Sequence, residues 1–116
     1  MYMPISSWFA AFALTLVVEV PLVLFLLRRD EPNLGRLAVL VVFVNLATHL
    51  VVWYVASQLL SIGTVEYVVA VEGWAIVAEA VFYVAAVRGL SPVRAVLVAG
   101  AANLASFVVG RLLEGI

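Results

Sequence analysis

Four apolar runs, at about residues 8–27, 37–60, 65–87 and 93–113, fill most of this 116-residue chain, with only short polar breaks between them. Each approaches the roughly 20 residues with which a helix crosses about 30 Å of hydrocarbon. Hydrophobic residues make up 67% of the chain, against about 45–50% in soluble domains. A chain this small cannot enclose so much apolar surface in one core, because small domains leave a large share of their surface outside. The expected fold is all-α: an integral membrane four-helix bundle, multi-pass in the cell membrane, with lipid as its solvent. Residues 1–116 read as a single transmembrane domain, with no room for a soluble catalytic module. The first run is too long and too evenly apolar for a signal-peptide core. It lacks a charged start, and Arg28-Arg29 follow it in place of a small-residue cleavage site.

The breaks carry helix punctuation. Residues 28–33, Arg-Arg-Asp-Glu-Pro-Asn, form a charged turn. Residues 61–64, Ser-Ile-Gly-Thr, form a tight connection in which Thr64 is placed to cap the third helix, and Glu66 in the next turn suits the helix dipole. Ser91-Pro92 reads as an N-cap followed by proline at the first helical position. Basic residues mark the cytoplasmic side of a membrane protein. Arg28, Arg29, Arg36, Arg88 and Arg94 fall on one side of a four-span chain and Arg111 alone on the other, so both termini are expected on the non-cytoplasmic side. Trp8, Trp53, Tyr54 and Tyr67 suit an interfacial aromatic belt or packing.

Composition removes several chemistries. The chain has no cysteine and no lysine, which excludes disulfides, thiolate metal sites, cysteine nucleophiles and Schiff bases. A formal net charge of −1 argues against nucleic acid as a partner. Expected partners are membrane lipid and either a second copy of the chain or another membrane subunit.

The functional signal lies inside the spans. Glu19, Glu72 and Glu79 stand in apolar sequence with no basic side chain at their depth, and intramembrane acids are functional candidates by default. Positions i, i+3, i+4 and i+7 of a helix share a face. Thr15 and Glu19 then share a face with Trp8 and Phe12 on the first helix. Asn45, Thr48 and His49 do so on the second, with Trp53 at the edge. Glu72, Glu79 and Tyr83 align on the third, and Ala99, Asn103, Ser106 and Gly110 on the fourth. The economical arrangement turns four polar stripes to one axis, with Glu19, Asn45, His49 and Asn103 near the middle of their spans and Pro21 adding a freed carbonyl, that of Val17, to the same layer. Asn45, Thr48, Asn103 and Ser106 also suit plain interhelical hydrogen bonding, and Ala99 and Gly110 close packing.

Three ionised glutamates in one apolar layer would repel one another while losing hydration, so the layer must hold protons, a histidine cation or a bound cation. Glu19, His49, Glu72 and Glu79 are the expected cation- or proton-binding residues, with Thr15, Asn45, Thr48, Tyr83, Asn103 and Ser106 in support. A metal site would draw on Glu19, His49 and Glu79. Imidazole with carboxylates suits zinc, iron or manganese. The chain lacks the Glu-x-x-His pairs of di-iron bundles, and one histidine offers haem only one axial ligand.

Length, four spans and a lone acid in the first helix, within the segment LTLVVEV, resemble the small multidrug resistance transporters. That resemblance implies that Glu19 binds protons or a cationic substrate in turn. It covers the first helix and the general architecture; the family's third-helix pattern of proline, alanine, tyrosine, tryptophan and glycine is replaced here by Glu72 and Glu79. A membrane enzyme acting on a lipid-soluble substrate through Glu and His, with Ser106 as a nucleophile drawn beside them, is another reading. An assembly subunit whose acids bind a partner's basic residues is a further one. The reading that best meets the charge balance is a polytopic membrane protein whose buried acidic cluster handles a cation, either a proton or a divalent metal.

Overall fold

The computed structural model describes residues 5–52 and 65–114. Four helices account for nearly all of them: α1 (Ile5–Leu27), α2 (Leu34–Val51), α3 (Val65–Ala86) and α4 (Pro92–Glu114). All four are long and apolar enough to cross a membrane. The expected spans match these elements within a few residues at the described ends. Trp53, Tyr54, the turn at 61–64 and its Thr64 cap lie outside the described residues.

Local chemistry sets the helix ends. Asn33 caps α2, its side-chain oxygen accepting from the Arg36 backbone N–H at 3.0 Å. Ser91 caps α4 in the same way, accepting from the Arg94 N–H at 3.1 Å, with Pro92 at the first helical position where its missing N–H costs nothing. Past the end of α3 the chain turns at Gly89, whose φ of +78° lies where a side chain is strained.

The helices close into a four-membered ring. α1 and α3 each pack against both α2 and α4, so α1 and α3 face each other across the axis. Each helix turns one stripe inward: Glu19, Val23 and Leu27 on α1; Leu37, Val41, Val44, Asn45 and Thr48 on α2; Ala75, Glu79, Ala80 and Tyr83 on α3; Ala95, Val98, Ala99, Ala102 and Asn103 on α4. The three alanines on α4's inner stripe, Ala95, Ala99 and Ala102, let its backbone approach its neighbours closely. The outer surface is aliphatic and aromatic, with Val17, Phe25, Val39, Phe43, Val69, Trp74, Val81, Leu97 and Leu104 exposed.

The two halves of the bundle differ. Toward the α1–α2 and α3–α4 turns the interior is a closed apolar core of Val23, Leu27, Leu37, Val41, Val87, Leu90, Ala95 and Val98, with Tyr83 among them. Two arginines tie this end together. Arg36 pairs with Glu31 and donates to the Ala86 carbonyl at the end of α3, 2.9 Å away. Arg94 pairs with Asp30 at 3.0 Å and donates to the Leu26 carbonyl at the end of α1, 2.7 Å away. Each arginine thus serves one acid of the 28–33 turn and one helix-terminal carbonyl that lacks an intrahelical partner.

One expectation fails here. Pro21 does not join the polar layer. It sits inside α1, but both it and Val17 are exposed on the outer face, because two residues rotate the helix by about 200° away from Glu19.

Candidate functional site

Above the apolar half the bundle opens into a partly enclosed cavity of about 140 Å³. Its wall includes Thr15 and Glu19 from α1, Asn45, Thr48 and His49 from α2, Glu72 and Glu79 from α3, and Asn103 and Ser106 from α4. Nine of the ten residues singled out by helical spacing therefore converge on one space. Tyr83 is the exception: it is fully buried but belongs to the apolar core beneath the cavity.

The floor is an acid pair. Glu19 and Glu79 are both fully buried, and their carboxyl groups are in electrostatic contact with each other. α4 holds one oxygen of each. Ser106 Oγ donates to Glu19 Oε2 at 2.8 Å, and Asn103 Nδ2 donates to Glu79 Oε1 at 3.2 Å. The other oxygens, Glu19 Oε1 and Glu79 Oε2, have no partner among the described residues, and neither does the hydroxyl of Tyr83. Tyr83 follows Glu79 by one turn on the same stripe, and helical side chains lean toward the helix N-terminus. Its phenol is in electrostatic contact with both acids. Buried polar atoms nearly always find partners, and here three oxygens close to one another have none among the described residues.

The remaining wall presents acceptors. Thr15 Oγ donates to the Ala11 carbonyl at 2.9 Å and Thr48 Oγ to that of Asn45 at 3.1 Å. Asn45 Nδ2 donates to the Val41 carbonyl at 2.9 Å and also faces Glu19. Asn103 spends its second amide hydrogen on Ala99, 2.8 Å away, and the Ser106 hydroxyl divides between Glu19 and the Asn103 carbonyl. With these hydrogens committed, the hydroxyls and amides turn lone pairs to the cavity. His49 also lines the cavity. It is half-buried and packs edge-on against Phe12 with ring centroids 5.3 Å apart.

Glu72 is half-buried and lies two turns above Glu79 toward the α2–α3 end, about 10.5 Å along the axis. The acids are thus split between a buried pair and a single carboxyl near the far end of the cavity. Among the described residues no three acidic or histidine side chains stand as a metal-binding group. His49 is one turn beyond Asn45, above the level of the Glu19–Glu79 pair. Ser106 is committed to Glu19 and to the Asn103 carbonyl. A second groove, between α1 and α4, is lined by Ala10, Ala11, Leu14 and Gly110 and shares Thr15, Ser106 and Phe107 with the cavity wall.

Sequence reasoning missed the arginine end. Asp30 and Glu31 are the partners of Arg94 and Arg36, and both arginines close helix ends in addition to biasing topology. The signal available was two acids between Arg29 and Arg36 in a turn too short to keep them apart from neighbouring helices.

Comparison of the chain with protein-family models, with curated proteins and with solved structures finds no match.

Proposed function

We propose that this is a multi-pass cell-membrane protein that binds a cation in the cavity in exchange for a proton held by Glu19 and Glu79. The observation that carries the reading is the pair of fully buried carboxyls at the cavity floor, each with one oxygen fixed from α4 and one without a partner among the described residues. A proton between the two groups gives both open oxygens a partner. A cation at the same place does so as well, which makes the two ligands competitors. The apolar outer surface suits lipid, and the bias of five arginines against one supports an orientation with both termini outside. In that orientation the cavity lies in the outer half and the apolar core separates it from the cytoplasm.

Burial of the acids on the inside favours this over an assembly subunit, whose acids would face outward toward a partner's basic residues. The test is proton release. The purified protein in weakly buffered detergent is titrated in turn with sodium, manganese and zinc salts and with ammonium, while released protons are followed by indicator dye. At least one cation is expected to release protons from the wild type and none from Glu19→Gln/Glu79→Gln. No release by any of the four, with an unchanged infrared carboxyl band, would remove the reading.

A further inference from the structure

Three features of the cavity have to be met by one ligand. Its anionic points are two, not one: the Glu19–Glu79 pair at the floor and Glu72 two turns above it, about 10.5 Å along α3. The wall between them carries hydrocarbon from Val52, Ala75 and Phe107. Its hydroxyls and amides offer lone pairs, their hydrogens being spent on carbonyls and carboxylates. A single metal ion answers the first feature poorly, since the described residues do not bring three acidic or histidine ligands together.

We propose that the cavity binds a short linear aliphatic diammonium ion of three or four carbons, one end on the Glu19–Glu79 pair and the other on Glu72. The inference rests on the cation reading and names its substrate class. An ammonium group has three donors and no acceptor, which is the complement of this wall. It is charged at neutral pH, as a lysine side chain is. With bonds of about 1.5 Å, a chain of three or four carbons places its nitrogens roughly 5–6 Å apart. Adding about 2.8 Å of charge-assisted hydrogen bond at each end brings the reach to roughly 11–12 Å, close to the axial spacing of the acids. The methylenes between the ends lie against Ala75, Val52 and Phe107. The volume also fits: a cavity of about 150 Å³ takes benzene, with its six heavy atoms, and 1,4-diaminobutane has the same number. The cavity measures about 140 Å³. The acid that makes the site specific for two charges is Glu72. The two unpartnered oxygens on the buried carboxyls at the cavity floor supply the anchoring end.

The experiment is calorimetry on the full-length protein in detergent, with 1,4-diaminobutane and 1,3-diaminopropane against 1-aminobutane, 1,2-diaminoethane, 1,6-diaminohexane and sodium. The three- and four-carbon diamines are expected to bind roughly tenfold or more tightly than 1-aminobutane, the scale of one additional ion pair, with both shorter and longer diamines weaker. Glu72→Gln should erase the diamine advantage while Glu66→Gln, on the exposed side of the same helix, preserves it. If Glu72→Gln does not fold, the chain-length series on the wild type decides alone. Equal affinity for 1-aminobutane and 1,4-diaminobutane, or no optimum in chain length, overturns the inference. Proton release by sodium or a divalent metal without any diamine binding overturns it too, and leaves the cation reading standing. Silence from every cation removes both.

Discussion

Glu19 and Glu79 meet in electrostatic contact from helices that face across the bundle axis, and α4 grips one oxygen of each while the other has no partner among the described residues. α4 is thus the organiser of the site although it contributes no acid to the cavity. Ser106 and Asn103 are three residues apart on one face, so a single helix fixes the orientation of both carboxyls. With each group gripped at its outer oxygen, the inner oxygens have little freedom to turn away from one another or from a ligand.

The first prediction separates charge from shape. Glu79→Gln retains the volume, and its amide can donate to Glu19 where the shared proton stood. Its thermal stability should stay within about 1 kcal/mol of wild type, with cation-linked proton release lost. Glu79→Ala also leaves Asn103 without its acceptor and opens space in the core, and should cost about 2 kcal/mol or more. Thermal denaturation in detergent together with proton release measures both. Equal stability loss in the two variants would mean that the carboxyl serves only packing.

A second prediction concerns the grip. Ser106→Ala and Asn103→Leu each release one carboxyl oxygen from its donor while leaving the acids in place. Hydrogen bonds to charged groups contribute about 1.5–3 kcal/mol, so cation affinity should fall roughly tenfold or more in each variant. Thr15→Val provides the contrast. Its hydroxyl donates only to the Ala11 carbonyl on its own helix, and affinity should move little. Comparable losses at all three positions would point to general loosening of the bundle.

Much of this arrangement was legible in the sequence. The spans follow from length and apolarity, and the convergence of Thr15, Glu19, Asn45, Thr48, His49, Glu72, Glu79, Asn103 and Ser106 follows from a period of 3.6 residues applied to each span. Periodicity fixes a face, not a neighbour. It could not show that Ser106 serves Glu19 across 87 positions of chain, nor that Tyr83, on the same stripe as Glu79, sits beneath the cavity and not in its wall. Depth alone puts Pro21 in the polar layer, and depth says nothing about the side of the helix. Arg36 and Arg94 read as topology signals because their second partners, Ala86 and Leu26, are backbone carbonyls of other helices, and a carbonyl has no residue-type signature.

The third prediction is topological and uses the absence of native cysteine. Pro32→Cys lies in the turn between α1 and α2, and Leu113→Cys near the end of α4; both parent residues are exposed. A membrane-impermeant maleimide applied to intact cells should label Leu113→Cys and reach Pro32→Cys only after permeabilisation. The opposite pattern would place the cavity in the cytoplasmic half and reverse the side from which a ligand enters.

The arginine end gives a fourth prediction. Arg94→Ala removes the Asp30 pair and the donor to the Leu26 carbonyl. The ion pair is partly exposed and should contribute at most about 1 kcal/mol, less at high salt. The carbonyl bond adds a similar amount. A double-mutant cycle with Asp30→Ala apportions the two. The cycle's coupling energy should shrink as salt rises, while the remaining loss from Arg94→Ala persists. A loss that vanishes entirely in salt would mean that the helix-end carbonyl is adequately solvated without the arginine.

The last prediction concerns Tyr83 and the sign of the pH dependence. If the proposed exchange holds, a cation and a proton compete for Glu19 Oε1 and Glu79 Oε2, so apparent cation affinity should rise with pH, by one decade per pH unit for each proton displaced, until no proton remains to be displaced. Tyr83 should set where that rise falls. Its buried hydroxyl has no partner among the described residues, and deleting an unsatisfied polar group does not destabilise a fold, whereas deleting a satisfied one does. Tyr83→Phe should therefore denature at the same temperature as wild type or slightly higher. Its effect should appear in the titration instead. The phenol stands below the acid pair in electrostatic contact with both acids, and its O–H dipole can stabilise them once their proton has gone. Without it the deprotonated pair is less well held, the proton is retained to higher pH, and the affinity curve moves in that direction. A Tyr83→Phe protein with lower thermal stability and an unmoved pH curve would show that the hydroxyl is satisfied in the core and has no part in the exchange.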